Sequence, residues 1–233
     1  MSEVNLRAPE EMVDYTKELI TLEDAKLIAN RHNEFLSEIF DNFDYTSSNL
    51  EVELENKIKE SLKPERFESQ FMQQAFDFDY EAEYSELSND KLRDIIDKTR
   101  SILIESQNVM EINEQIDLLY SNSKNNLSSI EERNFAMTYL EVTKASASFW
   151  YDSSKGGTGE GESILVKLAE GGGRTVSCVD SVIAADGMEA GSSLIIGAIT
   201  AGLAGGPIGA GAFFGLVGIR AAVASGSAAL IGC

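Results

Sequence analysis

The stretch Ala190 to Ile219, AGSSLIIGAITAGLAGGPIGAGAFFGLVGI, decides how the rest of this chain is read. It carries no charge between Glu189 and Arg220 and consists almost wholly of Gly, Ala, Ile, Leu, Val and Phe. Its small residues recur at helical spacing: Gly197, Ala201 and Gly205 stand four apart, as do Gly211 and Gly215, and then Gly218, Ala222 and Gly226. A four-residue step puts such residues on one helix face, where a second backbone can come close, in lipid or in a tight protein core. Gly202 belongs to the same set of close-contact positions. Gly205-Gly206-Pro207 interrupts the run, because Gly-Gly frees the backbone and Pro at a first helical position restarts a helix. The pattern predicts a hydrophobic helical hairpin.

Outward from this stretch the composition changes abruptly. Residues 153–233 hold six acids and four bases, a net of −2, which leaves −18 of the chain's −20 to the first 152 residues. That much negative charge repels nucleic acid and anionic headgroups at long range, so a nucleic-acid partner is excluded. The opening MSEVNLRAPEE lacks a basic segment followed by an apolar one, so no signal peptide is expected and the location is cytoplasmic or membrane-associated. Cys178 and Cys233 both fall in the tail without metal-ligand spacing; in an exported tail they could form a disulfide, and in a reducing cytosol they are small apolar residues.

The first 152 residues read as a bundle of amphipathic helices. Pro9-Glu10-Glu11 looks like a helix start, with Met12, Tyr15 and Leu19 on one face. Thr21 and Asp24 have capping-box spacing. The apolar positions 25, 28, 29, 32, 36, 39, 40 and 43 then form a stripe that includes His32, the only histidine. A core histidine held by hydrogen bonds accounts for it better than a catalytic or metal role. A second stripe runs through Leu54, Ile58 and Leu62 to Pro64. Asn89 or Ser88 can cap a helix carrying Leu92, Ile95, Ile96, Ile102 and Leu103. Val109, Ile112, Ile116 and Leu119 continue after a break near Gln107, and Ser121 to Asn126 reads as a loop. A last helix from Ser129 to about Tyr151 carries Phe135, Tyr139, Val142, Phe149 and Trp150. The expected class is all-α, with an acidic helical bundle over 1–152, a Gly/Ser-rich linker over 153–173 and the apolar hairpin over 174–233.

Chemical motifs fail on inspection. Asp77 to Glu86, DFDYEAEYSE, places Ala82 where an EF-hand needs glycine and Ser88 where it needs glutamate. Gly156 to Ser163, GGTGEGES, has P-loop spacing with Glu162 in the lysine position, where a carboxylate repels phosphate. One histidine and two tail cysteines assemble no nucleophilic triad. No catalytic, cofactor-binding or metal residue is expected, and no enzyme.

The tail from about Asp180 to Gly232 resembles the glycine-zipper hairpins of membrane-active bacterial proteins, including bacteriocins. The succession FWYDSSKGG, a short linker and a Gly/Ala hairpin is also similar to a set of uncharacterised bacterial proteins with a helical N-terminal region and a zipper tail. The resemblance implies a non-enzymatic protein whose hairpin associates with membrane lipid or with itself, as a bacteriocin-like or pore-forming precursor, while the acidic bundle binds a protein partner or keeps the tail in solution. The alternative is a soluble helical interaction protein whose hairpin is buried in its own core or in a homo-oligomer.

Overall fold

The computed structural model describes residues 19–62, 84–85, 87–172, 179–200 and 210–231. All regular structure among them is helical, in agreement with the all-α expectation: α1 (Leu22–Phe40), α2 (Leu50–Ser61), α3 (Asp90–Glu105), α4 (Val109–Ser123), α5 (Ile130–Trp150), a 3-10 turn (Ser153–Lys155), α6 (Glu160–Gly172), α7 (Val179–Thr200) and α8 (Ala210–Ile231). The helix start expected at Pro9 and the acidic segment Asp77 to Glu86 lie outside the described residues, save Tyr84 and Ser85.

Local signals in the chain set the helix ends. The Thr21 hydroxyl accepts from the Asp24 amide at 3.1 Å, and the Asp24 carboxylate accepts from the Thr21 amide at 2.8 Å, a complete capping box. Asn49, Asn89, Asn108 and Ser129 cap α2, α3, α4 and α5. The break between α3 and α4 falls at Ser106 to Asn108, where the spacing placed it. Helix α4 runs on to Ser123 and so shortens the loop expected from Ser121. The α1 stripe is buried as read, with Phe35 added to it.

Four helices, α1, α5, α7 and α8, make the central bundle. Helix α5 packs along α1 and α7, and α8 packs along the same two. Their directions follow from pairwise contacts. Ile20 meets Asn134 and Asn33 meets Ala145, so α1 and α5 run parallel. Gly187 lies against Tyr139 and Thr143 and Gly191 against Phe135, so α7 runs opposite to α5. Gly218 lies against Ile28 to His32 and Gly226 near Phe40, so α8 runs with α1 and opposite to α7. Helices α3 and α4 flank α5, α2 covers α8 and α1, and α6 lies on α5.

Of the stretch 153–173, expected as a linker, residues 153–172 are folded. Gly156 and Gly159 have φ of +81° and +78°, the left-handed region that glycine enters without strain. The short turn they allow leads into α6, whose Ile164, Leu165 and Leu168 are buried. A Cβ on Gly161 would stand 2.4 Å from Trp150 Cε3, so this glycine serves close packing. One hydrophobic cluster runs from Ile20 to Leu230, and the helices on both sides of 153–173 contribute to it.

Glu132 joins the flank to the bundle and gives acid stability a handle. Burial pushes its carboxyl pKa up, but hydrogen bonds from the Asn89 side chain and the Ser129 and Ser128 amides, with the charge of Lys91, outweigh burial and hold it at about 2. A depressed folded-state pKa contributes stability that is present above the unfolded value near ~4.3 and is lost as pH falls toward the folded value. Glu132→Gln is therefore expected to cost about 1 to 2 kcal/mol at neutral pH and to flatten the acid limb of the stability curve. Urea unfolding across the acid range measures both, and an unchanged limb contradicts the assignment.

Candidate functional site: a buried polar centre

Polar side chains from all four bundle helices are enclosed between them. Helices α1 and α7 sit diagonally across the bundle, and His32 and Asp186 meet between them. His32 Nε2 lies 3.3 Å from Asp186 Oδ2, and both side chains are 0% exposed. The contact is an ion-pair distance without the alignment of a hydrogen bond. The same carboxylate oxygen accepts from the Ser146 hydroxyl and, at 3.2 Å, from Trp150 Nε1, both on α5. On the other ring nitrogen, His32 Nδ1 is 2.8 Å from Asn33 Oδ1, and the Asn33 amide donates to Ala145 O at 2.9 Å. One carboxylate thus gathers partners from α1 and α5 onto α7.

A second pair lies on the neighbouring face of α7. Arg220 Nε of α8 donates to Glu189 Oε1, with side-chain exposures of 3% and 1%. Arginine suits this role because its guanidinium stays charged and its planar donors match a carboxylate. Every described side chain around these charges is buried as well, from Val182 to Ala190 on α7 and from Val217 to Ser227 on α8.

The centre has components of hydrolytic chemistry without its geometry. A serine nucleophile needs its hydroxyl on the histidine ring and the carboxylate on the far nitrogen. Here Ser146 and His32 approach the same Asp186 oxygen, and all three side chains are sealed from solvent. The arrangement joins α1, α5 and α7 through buried polar contacts. Among the described residues no three His, Cys, Asp or Glu side chains converge as a metal site.

The small-residue positions read from the sequence divide unevenly. Gly218 lies against the α1 backbone, where an added Cβ would stand 2.4 Å from Ile28 O. Ala222 is buried, and Gly226 faces Leu54 and Phe40 at ordinary contact distances. The contacts of Gly218 and Gly226 are thus with α1 and α2. Gly197, Gly211 and Gly215 lie within helices whose surroundings there, like Ala201, Gly202, Gly205, Cys178 and Cys233, fall outside the described residues. Two further close approaches lie outside the four-residue pattern. An added Cβ would meet Thr143 Oγ1 at 2.3 Å from Gly187 and the Phe135 ring at 3.0 Å from Gly191. The signal for them was available in the charges Asp186 and Glu189 beside them, which oblige α7 to face partners.

No family model, curated protein or solved structure matches the chain.

Two sets of substitutions probe the centre. Gly218→Ala is expected to destabilise by about 1 to 3 kcal/mol through overpacking, while Gly226→Ala is neutral or gains up to ~1 kcal/mol of helix propensity; equal effects in thermal melts contradict the close approach. Arg220→Met removes the guanidinium from beside the buried Glu189 carboxylate and is expected to cost about 3 to 5 kcal/mol, much of it recovered in the double variant with Glu189→Leu. Additive losses in the double variant contradict the pairing.

Proposed function

We propose that this chain is a helical interaction protein in which the apolar helices α7 and α8 belong to its own core and the acidic outer face is its working surface. The single observation that supports this reading most is the set of partners that the rest of the bundle supplies to Asp186 of α7, namely His32 on α1 and Ser146 and Trp150 on α5, while Glu189 and Arg220 pair between α7 and α8 themselves. Transfer of α7 into lipid strips Asp186 of those partners, at a cost of about 2.5 to 3.5 kcal/mol for a carboxylate in the bilayer centre. An N-terminal part of the chain that carries −18 of a −20 charge favours a basic protein partner and disfavours nucleic acid.

A second reading keeps the hairpin as a membrane-associating glycine zipper stored within the bundle, in the manner of a bacteriocin-like or pore-forming precursor. The charge-free run Ala190 to Ile219 favours it. Among the described residues no helix is long and apolar enough to cross a membrane. Flotation of the purified full chain with phosphatidylcholine and phosphatidylglycerol vesicles, followed by a carbonate wash, separates the two. The interaction reading predicts that the chain stays with the aqueous load; retention in the washed vesicles overturns it in favour of the stored hairpin.

A further inference from the structure

Away from the buried centre, an open cleft of about 320 Å³ lies where the C-terminal end of α1 meets the end of α5 and the first turns of α6. Aromatic rings line it: Phe40 and Tyr45, stacked with centroids 6.5 Å apart, and Phe149. The Tyr45 hydroxyl donates to Phe40 O at 3.3 Å, which holds this ring across the end of α1. Carboxylates stand beside the rings. Asp41 caps α1, and Glu160 is held by the Ser37 hydroxyl, which donates to it at 2.8 Å. Lys167 completes the lining, with its ammonium nitrogen 5.2 Å from the Tyr45 ring centroid and no ion-pair partner among the described residues.

Three features of this cleft favour positive charge. Ring faces attract cations through their quadrupole. The C-terminal end of a helix carries partial negative charge, and α1 has no basic residue in its last turn. Asp41 adds a full negative charge at that end, and its effect reaches the ring: burial first, then Asp41, raises the Tyr45 phenol to about 12. The opposing case, an anion at the start of α6, meets that helix's own first-turn acids, Glu160 and Glu162. Thr158, Gly159 and Ser163 of the GGTGEGES segment also line the cleft, so the phosphate-loop look-alike borders a site with a carboxylate in its wall.

We propose that this cleft binds an aliphatic organic cation, an alkylammonium or guanidinium group, on the Tyr45 ring between Asp41 and Glu160, in the place the Lys167 ammonium now holds. Lys167 acts as an internal stand-in for the ligand. A free amine and an arginine side chain on a partner present the same group, and the inference holds whether or not the interaction reading does.

The test is calorimetric titration of the full chain with agmatine and with an N-acetyl-arginine amide, at an ionic strength that screens diffuse attraction. One saturable site is expected. Lys167→Gln tightens binding by about 2- to 5-fold, the worth of an exposed ring–cation contact, and Asp41→Asn and Glu160→Gln weaken it by a similar factor. Glu114→Gln, which removes the same charge from α4 outside the cleft, leaves it unchanged. Stronger binding of agmatine supports a free amine and stronger binding of the arginine amide supports a side chain; either outcome supports the site. All four are exposed positions, and circular dichroism confirms that each variant is folded. No saturable binding, equal weakening by Glu114→Gln, or binding of inorganic phosphate that is lost in Lys167→Gln overturns the proposal.

Discussion

The structure depends on how Asp186, Glu189 and Arg220 are compensated inside a helix bundle. Each lies in a helix rich in apolar and small residues, and each is 3% exposed or less. An uncompensated charge in such a place costs several kcal/mol, so the bundle must deliver partners at matching heights along its length. It does so with His32 from α1, Ser146 and Trp150 from α5, and the Glu189–Arg220 pair between α7 and α8. Apolar packing alone tolerates a slip of one helix along another. A slip of one turn here separates every one of these contacts, so the polar centre specifies the register that the apolar surface leaves open.

The close helix approaches follow from the same constraint. Serine and aspartate are short, and they meet only if α5 and α7 come near each other. Gly187, one residue from Asp186, allows this by leaving room for Thr143 and Tyr139. Gly218, two residues from Arg220, does the same between α8 and α1. Small residues and buried charges therefore work together: the first bring backbones within reach, and the second use that reach. Helices apolar around their whole circumference are suited either to lipid or to the middle of a protein, and in this chain charged groups on those helices find their partners within the bundle.

Much of the helical pattern was legible in the chain. Thr21 with Asp24 marked the start of α1, Asn89 the start of α3, and the stripes through Ile28, Leu54, Ile95 and Phe135 gave the buried faces, because capping and amphipathic spacing are local properties. The segment 153–173 was read as a linker because glycine counts equally toward flexibility and toward tight geometry; only the left-handed φ at Gly156 and Gly159 and the contact of Gly161 with Trp150 distinguish the two. The polar centre was harder still. His32 was placed in the core by its stripe, but Glu189 and Asp186 lie far away in sequence from most of the groups they meet. Spacing along a chain cannot pair residues that only tertiary packing brings together. The cleft at Tyr45 was invisible for the same reason, since its walls come from α1, α5 and α6.

The central claim is that α7 and α8 are interior helices of a single cooperative bundle. Native-state hydrogen exchange on the full chain in lipid-free buffer tests it most directly. Amides of Val182–Ala190 and Val217–Ala224 are predicted to exchange only through global unfolding, with the same denaturant dependence as those of Phe135–Val142 in α5. Exchange of the α7 and α8 amides at markedly lower free energy, while α5 stays protected, would contradict it, because the apolar helices would then be opening as a separate unit.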